Sequence, residues 1–306
     1  GASDGTRGLS FGGSGPSNAI LPGKINYITI ASGGTDHNFG DTILLRRGGK
    51  ALASPTRAVH QTGGNGTPSY EPTNVIEFVT IQSKGNGQDF GDTSYANSIA
   101  GHAGANETRG ILAGAFIHPA NINNIQFFDL SYGGGSTDFG DLTAVKLAPT
   151  GAGNATRGIF FGGESPGESG GNNTIDFITI QSTGNGVDFG DLTNKRLAAS
   201  AASNPVRAVC MGGSTPGDTN IIDFVTITTT GNASDFGDLT EPRIFLGSVS
   251  SSTRAVAFGG DTAPGLTPTM DYIEIMTKGD ALDFGDLVDS AQFQNIEGCS
   301  NCHGGL

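Results

Sequence analysis

What the chain lacks narrows it first. Among its 306 residues there is no tryptophan, and there are only three cysteines and three methionines. No stretch reaches the roughly 18 consecutive apolar residues of a membrane-spanning helix, so membrane insertion is not expected. Lysine and arginine total 16 against 29 acidic residues, a formal charge of −13, and no basic run offsets it. Such a surface repels nucleic-acid phosphates and anionic membranes, so no nucleic-acid role is expected either. A Gly-x-y run is absent although glycine reaches 51 residues; the glycines are spread along the chain, as where many tight turns each need a positive φ. No signal peptide is visible, and the opening text GASDGTRG already belongs to the repeat pattern, as expected of a processed product or a fragment.

What is there is a repeat. DFGDLT occurs at 138–143, 188–193 and 235–240, with looser copies at 38–41, 89–92 and 283–286. The six phenylalanines, Phe39, Phe90, Phe139, Phe189, Phe236 and Phe284, lie 51, 49, 50, 47 and 48 residues apart. That period suits one supersecondary unit and is too short for a domain. Thr-Arg keeps the same lattice at Arg7, Arg57, Arg109, Arg157 and Arg254, with Val206-Arg207 as the variant. Six units from end to end predict a single domain over residues 1–306. Eleven of the 29 acidic residues belong to DFGD copies, so much of the acidity is a by-product of the repeat.

Residues 155–204 show the local logic. The β-prone run at 156–161 ends at Gly162-Gly163, which release the chain into a polar loop at 164–173. A second run, TIDFITI at 174–180, is dense in β-branched and aromatic side chains and reads as a largely buried strand. A Gly184-Asn185 turn then delivers the chain to 188–193, a short third strand or tight structured turn. The fourth element, 196–202, is alanine-rich. Flanking Ser, Asn, Pro and Gly leave no room for the roughly 12 residues an autonomous helix needs, so it is expected to be a strand.

Four short strands in about 50 residues is the scale of a propeller blade. The expected fold is therefore all-β, a six-bladed β-propeller, with an open β-solenoid or a row of independent β-units as alternatives. Closure is expected from pairing of N- and C-terminal strands. The first unit starts at residues 6–11 without an alanine-rich strand before it, and 287–298, beyond the last DFGD, could fill that place.

In a closed ring Arg7, Arg57, Arg109, Arg157, Arg207 and Arg254 form a circle that needs anions. The expected partners are the second DFGD aspartates, Asp41, Asp92, Asp141, Asp191, Asp238 and Asp286, through bidentate pairs; an arginine-lined ligand funnel is the alternative. The DFGD aspartates are read as stabilising a structural turn, with repeated calcium sites as the second reading, because two carboxylates fall short of the roughly six to eight oxygens calcium takes. Catalysis calls for one asymmetric constellation, which a uniform repeat does not offer, so no enzyme and no cofactor is expected. Cys299-Ser300-Asn301-Cys302-His303 fits a disulfide between Cys299 and Cys302, a free thiol pair, or the C-x-x-C-H haem attachment pattern. Cys210, in a first strand, is expected to be buried.

The Gly-Gly after an apolar strand, at Gly12-Gly13, Gly63-Gly64, Gly162-Gly163, Gly212-Gly213 and Gly259-Gly260, resembles the kelch repeat of β-propellers, as does the arginine upstream. The third unit departs with Gly114-Ala115, and the kelch blade tryptophan is missing throughout. The fuller string TRGIFFGG, NTIDFITI, DFGDLT looks like the repeats of large structural proteins from tailed viruses of cyanobacteria and other marine bacteria, over nearly the whole chain. The ending SNCHGGL is similar to theirs. This resemblance implies a virion appendage or fibre-associated role.

The expected function is a non-enzymatic structural or receptor-binding module on a virion or another extracellular surface. Its expected partners are other structural proteins there and host surface glycans. Unequal chemistry is expected in the loops after Gly-Gly, 66–73, 165–172 and 262–269, with Tyr70 and Glu71 the most ligand-like. A carbohydrate-active propeller enzyme and a kelch-like interaction adaptor are the alternatives.

Overall fold

In the computed structural model, small antiparallel sheets follow one another around a ring, and the described residues contain no helix. The structure describes residues 2–3, 5–15, 23–65, 71–97, 99–117, 119–167, 170–263 and 265–288. The chain is a six-bladed β-propeller. Each blade has four principal strands in chain order from the axis outward. In blade 4 they are Thr150–Gly153, Arg157–Phe161, Asn172–Thr179 and Val187–Arg196. In blade 5 they are Ser200–Ser203, Arg207–Met211, Ile221–Thr226 and Ser234–Asp238.

The alanine-rich segment that closes the sequence repeat thus opens the next blade: Ser200–Ser203 pairs with Arg207–Met211. It is the innermost strand, and successive inner strands touch one another all the way around the axis. Convergence at the axis explains why small side chains predominate there, because Ala, Ser and Gly let neighbouring backbones come close, with Leu52 and Val249 among the larger exceptions. Ser203 Oγ donates to Gly153 O at 2.7 Å, Ser250 Oγ to Ser203 O at 2.7 Å and Ser248 Oγ to Ala201 O at 2.8 Å, tying inner strands to each other.

DFGD forms the outer strand and carries a bulge in every blade. In blade 4, Ile175 faces Gly190 and Asp176 faces Asp188, which leaves Phe189 as the extra residue. The bulge aims Phe189 inward, where it is buried edge-on to Phe177 at 5.8 Å. Tyr27–Phe39, Phe78–Phe90, Phe127–Phe139, Phe224–Phe236 and Tyr272–Phe284 repeat the pair. The apolar core lies in the seams, each cluster drawing on adjacent blades: Ile111, Ile125 and Phe139 of blade 3 pack with Phe160 and Ile178 of blade 4.

Blade 1 obtains its inner strand from the start of the chain. Ala2–Ser3 pairs with Leu9 and Gly8, so the alanine-rich strand expected to be missing is present as a two-residue piece. The last blade meets the first through Leu287, which is buried with Ile28, Ile30, Val249 and Phe258, and through Gly34 N, which donates to Phe284 O at 2.8 Å. Of the segment expected to close the ring, 289–298 lie outside the described residues, as do Cys299 and Cys302.

Candidate functional site

The chain order of the strands gives the ring two faces. Turns between inner and second strands, and between third and outer strands, open on one, the turn face. Variable loops and the crossovers from outer to inner strands lie on the other.

The landmark arginines form their circle on the turn face, and the partner they share is a neutral peptide carbonyl; Arg254 in addition pairs with Glu274 of its own blade at 2.9 Å. Arg157 Nη1 donates to Ile227 O of blade 5 at 3.0 Å, and its guanidinium sits 4.6 Å from the centre of the Phe177 ring. Arg7, Arg57, Arg109 and Arg207 likewise reach Ile81 O, Leu130 O, Ile180 O and Ile275 O of the following blade. Arg254 reaches Ile30 O at 3.3 Å, clasping the last blade to the first. Expected Arg–Asp pairing is thereby corrected, and the register gives the reason. Arg157 lies opposite Thr179, while Asp191 lies opposite Thr174, five residues along the third strand. That separation is roughly 16 Å, so the two charges stand near opposite ends of a blade.

The DFGD aspartates work through their backbone. Asp191 N donates to Asn232 Oδ1 of the next blade at 3.0 Å, and Asp191 O accepts from Ala233 N at 2.7 Å. Asp41 and Asp141 meet Asn86 and Asn185 in the same way, and Asp238 meets Asp280. DFGD is therefore a latch between blades, and its glycine is what lets the blades meet. At φ 144°, Gly190 would place a Cβ 2.5 Å from the Gly231 carbonyl. Among the carboxylates, Asp41 pairs with Lys24 at 2.7 Å; Asp92 and Asp286 are exposed, and Asp141, Asp191 and Asp238 are half-buried. Among the described residues, no three His, Cys, Asp or Glu side chains converge as metal ligands.

A second series of cations, unmarked in the sequence reading, supplies the buried ion pairs. Arg46, Lys146, Arg196 and Arg243 each fall seven residues after a DFGD phenylalanine, in the crossover to the next blade, and are almost wholly buried. Their partners precede the third-strand aromatic of that blade: Glu77, Asp176, Asp223 and Asp271. Arg196 Nη2 lies 2.6 Å from Asp223 Oδ2, and Thr193 Oγ1, the last residue of DFGDLT, donates to Asp223 Oδ1 at 2.7 Å. Thr143 and Thr240 serve Asp176 and Asp271 likewise. The spacing itself was the available signal.

The seams are not equal. Between blades 1 and 2, His60 joins the pair: its Nδ1 lies 3.0 Å from Glu77 Oε1 while its ring stacks on Phe11 at 5.0 Å. Burial, aided by Arg46, holds His60 down at about 4. Burial pushes the Glu77 carboxyl up, but the hydrogen bond with His60 and the charge of Arg46 prevail and bring it to about 2. In blades 3 and 1, the acid position holds neutral Gln126 and Asn26. Cys210 is buried, and that burial pushes its thiol up to about 12.

Two hollows open on the turn face. One, of about 420 Å³, lies between blades 2 and 3 among Thr56, Arg57, Glu107 and Ser131. The other, of about 280 Å³, is walled by Phe224 and edged by Thr229, Thr230, Asn232 and Ser234 of blade 5. On the loop face, Glu71 is exposed and paired along the backbone with Asn65; Tyr70 lies outside the described residues. No known family pattern and no curated protein sequence matches the chain.

Proposed function

We propose that the chain is a non-enzymatic structural or receptor-binding module of a virion or another extracellular surface, engaging neighbouring structural proteins and host surface glycans. The observation that carries this reading is the use made of the repeated charges. They clasp blade to blade, through arginine to carbonyl on the turn face and through buried cation to carboxylate beneath the crossovers. A ring latched at every seam suits a part that bears load or presents a surface, and the small side chains packed at the axis fit that role better than a deep axial reaction pocket. The kelch-like Gly-Gly corners and the resemblance to tailed-virus repeats point the same way.

Purified protein with an intact melting transition, applied to envelope fragments of candidate bacterial hosts, is expected to bind saturably. A fully folded protein that bound no envelope would sink the receptor-binding part. Release of shortened saccharides from an offered polysaccharide would instead favour the carbohydrate-active enzyme.

A further inference from the structure

Departures from the repeat gather on the turn face at the seam between blades 2 and 3. Three residues before the landmark arginine, blades 3, 4 and 5 carry Asn106, Asn154 and Asn204. Each of these amides crosses to the following blade: Asn106 Nδ2 donates to Ala155 O at 3.2 Å, Asn154 Nδ2 to Pro205 O at 3.0 Å and Asn204 Nδ2 to Ser252 O at 3.1 Å. Blade 2 has Ser54 in this place, with no amide to send across; its Oγ accepts from Arg57 N of its own blade at 3.1 Å. On the far side stands Glu107, where the other blades have Gly5, Pro55, Ala155, Pro205 and Ser252. The neighbouring turn of blade 3 carries Tyr132, almost fully exposed, where the other five blades have serine or threonine.

Ser54 and Glu107, the two ends of the crossing that this seam cannot make with an amide, both line the hollow of about 420 Å³. Opposite charges border it without pairing. Glu107 is exposed, and its carboxylate has no partner among the described residues. Arg57 donates Nη1 to Leu130 O at 3.0 Å and to Ser131 O, and its guanidinium lies 5.1 Å from the centre of the Phe78 ring, so it is held in place with Nε and Nη2 uncommitted. The walls are braced as well: Gln82 Nε2 donates to Pro55 O at 2.8 Å, and Asp129 Oδ1 accepts from Ser131 N at 2.7 Å. Thr56 and Ser131 add exposed hydroxyls to the lining.

This pairing of charges selects a ligand. An anion would be repelled by Glu107 and a cation by Arg57. Each hydroxyl of a neutral sugar both donates and accepts, so a single ring can donate to the carboxylate and accept from the guanidinium. The volume falls within the roughly 300–1,000 Å³ of small-molecule sites. No charged side chain lines the smaller hollow beside Phe224.

We propose that the hollow between blades 2 and 3 binds a neutral saccharide unit, its hydroxyls held by Glu107, Arg57, Thr56 and Ser131. The proposal rests on the receptor-binding reading and gives it a ligand class. It also places recognition on the turn face, opposite the variable loops.

Titration calorimetry of the full chain with neutral tetrasaccharides of glucose, mannose, galactose and N-acetylglucosamine, with a uronic-acid tetrasaccharide and with glycine would test it. At least one neutral tetrasaccharide is expected to bind saturably, about tenfold more tightly than the uronic-acid one. Glu107→Ala is expected to weaken it about tenfold, the scale of one charge-assisted contact. Ser54→Asn, which installs the side chain that crosses the next three seams, is expected to weaken it at least as much while the protein still melts normally. Glu71→Ala, on the loop face, is expected to leave binding unchanged. Failure of every neutral tetrasaccharide to bind, tighter binding of the uronic-acid one, or undiminished binding by the Glu107→Ala or Ser54→Asn protein would overturn the site. Glycine binding as tightly as the saccharide would also overturn it, by reducing the hollow to a zwitterion site. Envelope binding that survives both substitutions while neutral saccharides fail would sink this proposal and leave the receptor-binding reading standing. Saccharide binding in the hollow without binding to any host envelope would do the reverse.

Discussion

Two sets of basic side chains recur at the same period and meet opposite fates. Arg157 and its equivalents stand half-buried on the turn face, each stacked on an aromatic ring and donating to a carbonyl of the next blade. Arg196 and its equivalents lie buried under the crossovers, each fastened to a carboxylate of the next blade. Water still reaches the first set, so removing its carbonyl partner strands no charge. The second set has no solvent to fall back on, and each partner there holds a charge that would otherwise be stranded. The lesson is that repetition alone does not tell which charge matters to stability; burial does.

The largest effect expected in this comparison comes from Asp223→Ala, which leaves Arg196 buried without its anion and should cost about 3–5 kcal/mol in denaturant unfolding. Pairing it with Arg196→Met should recover much of the loss, because the penalty lies in the orphaned charge. An Asp223→Ala protein as stable as the parent would show that water reaches Arg196.

The blade 1–2 seam is the one whose buried pair includes a histidine, and it gives stability a pH dependence. Neutral His60 is favoured in the fold, with its titration lowered from 6.5 to about 4, so its contribution is complete above pH 6.5 and is lost as pH falls toward 4. Glu77, lowered from 4.5 to about 2, loses its contribution on further acidification from pH 4.5 toward 2. Both act in the same direction. The His60 part amounts to about 3 kcal/mol. His60→Phe, which installs the residue that blade 4 carries as Phe160, should flatten the melting temperature between pH 6.5 and 4; an unchanged slope there would remove His60 from the account.

Smaller effects belong to the turn face and the latch. Arg157→Ala gives up one hydrogen bond to blade 5 and the stacking on Phe177, and should cost roughly 1–2 kcal/mol by thermal melting. Asp191→Ala keeps the backbone latch and removes only a half-buried carboxylate, so a change within about 0.5 kcal/mol is expected. A loss from Asp191→Ala as large as that from Asp223→Ala would mean that the half-buried carboxylates matter as much as the buried ones.

Much of this was legible in the text of the chain. The period of DFGD, the β-prone runs and the Gly-Gly corners led to six blades because local strand chemistry repeats with local spacing. The partners of the charges were harder to read. Arg157 was close in kind to Asp191 but bonds to Ile227, 70 residues away, because each clasp crosses to the following blade. The buried series was visible as a cation seven residues after four of the six DFGD phenylalanines and an acid just before four of the third-strand aromatics. Its pairing became evident only when the crossover laid one blade's exit under the next blade's third strand. The hollow beside Phe224 had no signature at all, since a turn of blade 5 folds back against its own third strand to make it.

By itself the sequence determined the number of blades, their four-strand build and where the chain must turn, because those follow from residue conformation and from side-chain patterns a few positions apart. Only the tertiary structure decided that the alanine-rich segment lies at the axis, that DFGD joins blades instead of bracing one, and which charges are hidden from water. These depend on contacts between neighbouring blades, and the free energy of a charge is set by the solvent those contacts leave around it.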